Sequence, residues 1–252
     1  MALHPFLDHP GPLPIAHRGG AGDWPENTLP AFQGAVDLGF PYVETDVHLT
    51  ADGVLVAFHD DHLDRVTDGH GRIADLPWST VRRARVDGRE PIVLLDDLLG
   101  TFPDLRVNID PKHDAAVPAL VDVLRRTGAV ERVCVGAFSD RRLARLRGLL
   151  GPALCTSLGP AGVARLRSAS LGLPAGRLHA RCAQVPERAG RARLVDERFV
   201  TAAHRRGLQV HVWTVDDPAD MERLLDLGVD GLMTDRPAVL AEVLRRRGQW
   251  VG

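Results

Sequence analysis

Along this chain, short apolar runs alternate with longer stretches whose apolar positions recur every three to four residues. The short runs read as strands over residues 14–17, 42–46, 106–110, 132–137, 153–157, 182–185, 210–214 and 231–234. Amphipathic stretches such as 115–127, 141–150, 196–206, 221–227 and 238–247 read as the helices between them. Strand and helix in strict alternation predict a parallel sheet, and eight such units predict a closed (β/α)8 TIM barrel of the α/β class. The expected unit is a single domain over 1–252. Asn27 is the expected cap of the first helix, with Pro30 in its opening turn, and Asp217-Pro218 opens a later one.

The rhythm breaks over residues 50–91. Ala51-Asp52-Gly53 followed by Val54-Leu55-Val56-Ala57-Phe58-His59 predicts a β-hairpin, because Asp-Gly between two β-like runs favours a tight turn over a crossover helix. A two-residue loop at Asp52-Gly53 would pair Ala51 with Val54 and set Asp46 opposite His59. Glu44 would then share their face. The glycine-rich stretch 60–91 reads as a small insertion ahead of a helix at 95–101, lying over the face where barrel enzymes carry their chemistry.

Composition narrows the function classes. A formal net charge of −2 and 44% hydrophobic residues describe an ordinary globular chain with no overall attraction to nucleic acid or anionic membranes. The opening MALHPFLDHPGPLP lacks the basic start and apolar run of a signal peptide, and no apolar stretch is long enough to span a bilayer, so a cytoplasmic protein without a stable membrane anchor is expected. Cys134, Cys155 and Cys182 lack CxxC spacing and read as buried free thiols. Of 31 basic side chains, 30 are arginine and one is lysine, Lys112, which points to a place where a compact ammonium is needed.

The candidate chemistry gathers at strand ends. His17-Arg18-Gly19-Gly20 closes the first strand, and the glycines suggest a loop that lets backbone approach an anion. Asn108-Ile109-Asp110-Pro111-Lys112 closes the third. If it stays extended, Asn108, Asp110 and Lys112 share a face; otherwise Pro111 ends the strand and Lys112 belongs to a loop. Polar residues at every second place are unusual on a parallel barrel strand. Glu44, Asp46 and Asp110 would form a carboxylate cluster that cannot ionise fully without a cation. All-oxygen ligands suit Mg²⁺ or Ca²⁺, while His17 and His59 keep zinc open. Arg18 and Lys112 would neutralise phosphate oxygens, and the two histidines would supply acid and base. The plainer alternative is a polar edge strand over 44–48 facing water. His48 reads more simply as solvated hairpin polarity. His62, His70, His113, His179, His204 and His211 read as surface or packing residues, and Trp24 and Trp78 as packing of the first loop and the insertion.

The segments IAHRGGAGDWPENTLPAF, VETDVHLTADGVLVAFHDDHLDRVTDGHGRI, VNIDPK, VHVWTVDDP and GVDGLMTDRP, in that order, resemble the glycerophosphodiester phosphodiesterase family from about Ile15 to Pro237. The resemblance implies a (β/α)8 barrel with a small insertion after the hairpin, and metal-dependent hydrolysis of glycerophosphodiesters to an alcohol and glycerol 3-phosphate. It assigns His17 and His59 as base and acid, Glu44, Asp46 and Asp110 as metal ligands, and Arg18 and Lys112 as phosphate holders. Glu26 of the ENT motif would join the same pocket, and Trp213 would border the glycerol end. Similar sequences commonly carry glutamate where this chain has Asp110, a carboxylate drawn back by about 1.5 Å. Three rivals differ in kind: a Schiff-base enzyme using Lys112, a non-catalytic barrel that binds phosphodiesters, and the same hydrolysis on lysophospholipids. The alcohol, the metal and the oligomeric state stay open.

Overall fold

The computed structural model describes residues 4–251; Met1–Leu3 of the opening segment and Gly252, the ends of the expected domain, lie outside them. Eight parallel strands form the barrel: Leu13–Ala16, Tyr42–Leu49, Arg106–Pro111, Val133–Val135, Cys155–Thr156, Cys182–Pro186, Gln209–Trp213 and Gly231–Thr234. Each is hydrogen-bonded to its chain neighbour, and the eighth pairs with the first, Leu13 opposite Gly231. The ring closes between the fifth and sixth strands through one parallel bridge, Ser157 with Cys182, and the Leu158 N–H bond to the Cys182 carbonyl at 2.9 Å. All eight expected strands are present. Eight helices wrap the outside: Leu29–Asp37, Leu95–Thr101, Ala116–Arg126, Asp140–Leu150, Pro160–Ser170, Glu197–His204, Pro218–Asp226 and Pro237–Arg246. Among the described residues no helix is long and apolar enough to cross a membrane.

Alternation along each strand sorts its side chains. On the second strand Val43 and Val47 face outward into the main core beneath the helices, while Tyr42, Glu44 and Asp46 belong to the barrel interior. The lower interior is apolar. Phe6, Leu7, Leu13, Ile15, Tyr42 and Met233 pack there with the three free cysteines, and the turn Pro5–Leu7 plugs the ring, its Phe6 carbonyl accepting from the Tyr42 hydroxyl at 2.8 Å.

Two local expectations need correction. Thr28, rather than Asn27, caps the first helix, accepting from Ala31 N–H, while Asn27 takes a left-handed φ of 57° and its amide oxygen accepts from the Thr45 hydroxyl. The hairpin is one residue out of the expected register: Val47, His48 and Leu49 pair with Ala57, Val56 and Leu55. Its loop holds three residues, because Thr50 N–H bonds Val54 C=O at 2.9 Å and Gly53 N–H bonds Thr50 C=O at 3.0 Å, with Gly53 at φ 86°. Asp46 therefore lies opposite Phe58, whose N–H it accepts. Gly19 and Gly20, at φ 81° and 105°, are also closely packed. A Cβ on Gly19 would come within 2.9 Å of Ala31 Cβ, and one on Gly20 within 2.8 Å of Pro237.

The insertion after the hairpin carries its own small core of Phe58, Leu63, Ile73, Val81, Val86 and Ile92, with Trp78 packed on it. It returns through Val93–Leu94, which pairs antiparallel with Leu55–Ala57 and leads into the second barrel helix.

Candidate functional site

A cavity of about 700 Å³ opens at the carboxyl ends of the strands. Its walls include His17, Arg18, Glu44, Asp46, His59, Asp110, Lys112 and Trp213. Eight of the nine residues singled out from the sequence thus converge, and Glu26 does not. The Glu26 carboxylate instead receives Arg18 Nη1 at 3.2 Å and Arg65 Nη2 at 2.7 Å and faces a neighbouring cleft, so it reaches the cavity through Arg18 and, by way of Arg65 and Asp60, through His59.

The third strand stays extended through Pro111. It pairs Glu44 with Asn108 and Asp46 with Asp110 along the second strand, and Lys112 N–H continues the ladder to Val47 C=O at 3.1 Å. Its ladder to the fourth strand ends with the Gly136 N–H bond to Ile109, so the proline removes a donor only where that pairing stops. Asn108, Asp110 and Lys112 consequently share the inner face. Below them Gln184 donates to the Asn108 side-chain oxygen at 2.8 Å and lies 3.4 Å from His211 Nδ1, a buried polar layer between site and plug.

Lys112 Nζ sits between two carboxylates, 2.6 Å from Asp46 Oδ1 and 3.0 Å from Asp110 Oδ2. Burial alone would lower its pKa, but Asp110 and Asp46 outweigh that and raise it, so the ammonium stays charged. Arg18, at a left-handed φ of 52°, turns its backbone N–H onto Glu44 Oε2 at 3.1 Å and brings its Nε within 3.6 Å of Asp46 Oδ2. Both of those last atoms, Arg18 Nε and Asp46 Oδ2, are buried with no hydrogen-bond partner. Burial, reinforced by the Asp46 charge, pushes the Glu44 carboxyl up to about 7, and burial also raises Asp110. The three carboxylates are spread wider than a closed coordination sphere. Among the described residues, only Cys134–Cys155–Cys182 and His48–Asp61–His113 bring three ligand atoms within 4.8 Å of one another.

Each cavity histidine is held by a carboxylate at Nδ1. His17 Nδ1 donates to Asp235 Oδ1 at 2.7 Å, and His59 Nδ1 to Asp60 Oδ1 at 2.6 Å. A carboxylate only accepts, so the proton sits on Nδ1 and each Nε2 is left free. His17 Nε2 lies 3.7 Å from Glu44. Burial lowers the His17 pKa, yet Glu44 and Asp235 together raise it overall. Arg65 binds Asp60 and holds that carboxyl down at about 2. Asp60 and Asp235 were missed in the sequence. Asp60 directly follows His59, but Asp235 reaches His17 only when the eighth strand closes against the first. His48, expected in solvent, is buried, with Nε2 3.0 Å from the His59 carbonyl oxygen.

The rest of the wall is mostly apolar, Phe138, Leu158, Pro160, Val163, Ala164 and Leu194, with one charge, Arg167, which is paired with Asp196 at 2.8 Å. The Phe138 ring, 72% exposed, stands edge-on to Trp213 with centroids 5.9 Å apart.

Residues 17–239 match the family model described as glycerophosphoryl diester phosphodiesterase. The chain is 41% identical over 253 residues to the probable glycerophosphodiester phosphodiesterase 2 of Mycobacterium tuberculosis, covering 98% of this chain and 96% of that one. It is 27% identical over 271 residues to the human lysophospholipase D GDPD1, covering 91% and 85%. Among solved structures, a putative glycerophosphoryl diester phosphodiesterase from Silicibacter pomeroyi superposes with a TM-score of 0.84 at 26% identity, over 99% of this chain and 100% of that one.

Proposed function

Since the chain belongs to the glycerophosphoryl diester phosphodiesterase family, we propose that its cavity hydrolyses glycerophosphodiesters with the help of a divalent cation, releasing an alcohol and glycerol 3-phosphate. The observation that carries this reading is the pair of carboxylate-held imidazoles on one cavity with Arg18, Glu44, Asp46, Asp110 and Lys112. A pure binding site has no use for two imidazoles of fixed tautomer with free Nε2 atoms.

The residues suit a cation. Three carboxylates meet two basic side chains, Asp46 Oδ2 is buried without a partner, and Glu44 is driven toward its neutral form by burial and Asp46. Glu44, Asp46 and Asp110 would hold it, with water or substrate oxygens completing the shell. An all-oxygen donor set favours Mg²⁺ or Ca²⁺. When bound, the cation would polarise the phosphate and offset its charge.

The chain's own side chains do the rest. Arg18 through its guanidinium, and Lys112 through the remaining proton of an ammonium shared by two carboxylates, would meet the non-bridging phosphate oxygens. One imidazole takes the proton from the attacking water or the neighbouring glycerol hydroxyl, and the other delivers a proton to the departing oxygen. Glu26 steadies Arg18, and Trp213 with Phe138 borders the organic end of the substrate. Lys112 makes a poor Schiff-base nucleophile, because two adjacent carboxylates keep it protonated.

Turnover of glycerophosphocholine is the direct test. It should appear with Mg²⁺ or Ca²⁺, vanish with chelator and return on re-addition, and Asp46→Asn should lower it at least about a hundredfold. Turnover indifferent to chelator would remove the cation from this reading. Binding of several diesters without turnover would make the barrel a receptor. The apolar wall favours a second reading, in which the same chemistry acts on lysophospholipids whose chain lies along Leu158, Val163 and Leu194. The three buried free thiols suit a reducing compartment, and we place the chain in the cytoplasm.

A further inference from the structure

Beside the catalytic cavity, three segments that are far apart in the chain bring His48, Asp61 and His113 together. His48 lies on the second strand, Asp61 two residues beyond His59, and His113 directly after Lys112. The tautomer of His48 is fixed: its Nε2 lies 3.0 Å from the His59 carbonyl oxygen, which can only accept, so Nε2 carries the proton and Nδ1 keeps its lone pair. That lone pair faces Asp61 Oδ1 at 3.8 Å, too far for a hydrogen bond. His113 Nε2 stands 2.9 Å from the same oxygen, and the two imidazole centroids are 5.3 Å apart. All three ligand atoms lie within 4.8 Å of one another. Ligands of a tetrahedral zinc, at about 2.0–2.2 Å from the ion, stand about 3.3–3.6 Å apart, so shifts of about 1 Å would complete the set.

We infer that His48, Asp61 and His113 form a binding site for a zinc-class divalent cation, with water in the fourth position. An imidazole held by a backbone carbonyl through its other nitrogen is the usual arrangement of a zinc-ligating histidine. Two nitrogens and one oxygen favour Zn²⁺ or Co²⁺ over the Mg²⁺ or Ca²⁺ suited to the carboxylates next door. His48 is buried and rigid, while Asp61 is 50% exposed and His113 37%, which gives an entry path and an open coordination position. A cation here ties the arm carrying His59 to the second and third strands and holds the His59 backbone through His48.

Full-length protein stripped with chelator, then saturated with Mg²⁺ to fill the carboxylate site, is titrated with Co²⁺. The expected result is one further equivalent bound, with the strong visible absorption of four-coordinate cobalt on nitrogen and oxygen. His113→Gln and Asp61→Asn should each weaken that binding by more than about tenfold. Both should keep their Mg²⁺-dependent turnover of glycerophosphocholine within about twofold when cobalt is absent, which shows the fold intact. No visible band, a band unchanged in either variant, or a thiolate-to-cobalt charge-transfer band from Cys134, Cys155 and Cys182 would overturn the assignment.

Discussion

The first three strands and the fourth to sixth close the same ring, yet they line its cavity with opposite chemistry. On one side stand His17, Arg18, Glu44, Asp46, Asp110 and Lys112; on the other stand Phe138, Leu158, Pro160, Val163, Ala164 and Leu194, where the one charge, Arg167, is neutralised by Asp196. The charged half is built largely on the strands, with Asp46 directly opposite Asp110 and Lys112 bonded into the ladder. The apolar half comes from loops and from the start of the helix Pro160–Ser170. Rigid strands fix the groups that must meet a phosphate, whose geometry never varies. On the proposed reading, loops, which tolerate change, would border the alcohol, which does vary. Chemistry and specificity would then be separated across one cavity, and each half could be disturbed alone.

The largest effect is expected in the charged half. His17→Ala and His59→Ala should each lower kcat by about 10²- to 10⁴-fold. Asp235→Asn and Asp60→Asn, which disturb the tautomer without removing the ring, should cost less and displace the pH profile. Retention of a tenth of the activity by His59→Ala would take that residue out of proton transfer.

Next comes the electrostatic load of the same half. Burial and the Asp46 charge push the Glu44 carboxyl up to about 7, above the ordinary glutamate value of 4.5, so the folded chain binds this proton more tightly than the unfolded one. Its contribution to stability is complete below about pH 4.5 and is lost as pH rises through about 7, by up to about 3 kcal/mol. His17 is also raised. Its contribution is present below 6.5 and disappears as pH climbs past its folded value, so the two act with the same sign. Denaturant unfolding in chelator should therefore show stability falling across this window. Divalent cation should flatten the fall, and Glu44→Gln should remove most of it. A flat profile for the unaltered chain in chelator would show that burial does not load the site.

Much of the charged half was legible in the sequence because alternation along a strand fixes which side chains share a face. Glu44 with Asp46, and Asn108 with Asp110 and Lys112, needed only the period of two. The hairpin register was misread because a three-residue loop with Gly53 in left-handed geometry resembles the two-residue Asp-Gly loop in composition. His59 still reaches the cavity, since the strand Leu55–Ala57 ends before it and the chain bends away. Glu26 was misplaced because an ENT motif does not show that Arg65, from the insertion, draws its carboxylate away. Asp235 depends on barrel closure, a contact 218 residues apart that no local pattern encodes. The apolar half was less legible for another reason: nothing in the local pattern marks Val163 and Leu194 as facing a cavity rather than the core.

The smallest effects should come from that apolar half, and they depend on the substrate. Val163 is half-buried and Ala164 exposed at the start of a helix, so Val163→Asp should fold. If an acyl chain lies along this wall, losing contact with about two methylenes costs about 1.6 kcal/mol. Turnover of a lysophospholipid should then fall about tenfold in kcat/KM, while glycerophosphocholine, too short to reach the wall, should change by less than about twofold. Phe138→Ala should act in the same direction but more weakly, about threefold, because the exposed ring contributes one edge-on contact with Trp213. Equal losses on both substrates would mean that the wall shapes the site as a whole and does not select the alcohol, and the division of the cavity into two halves would then describe its surface without describing its function.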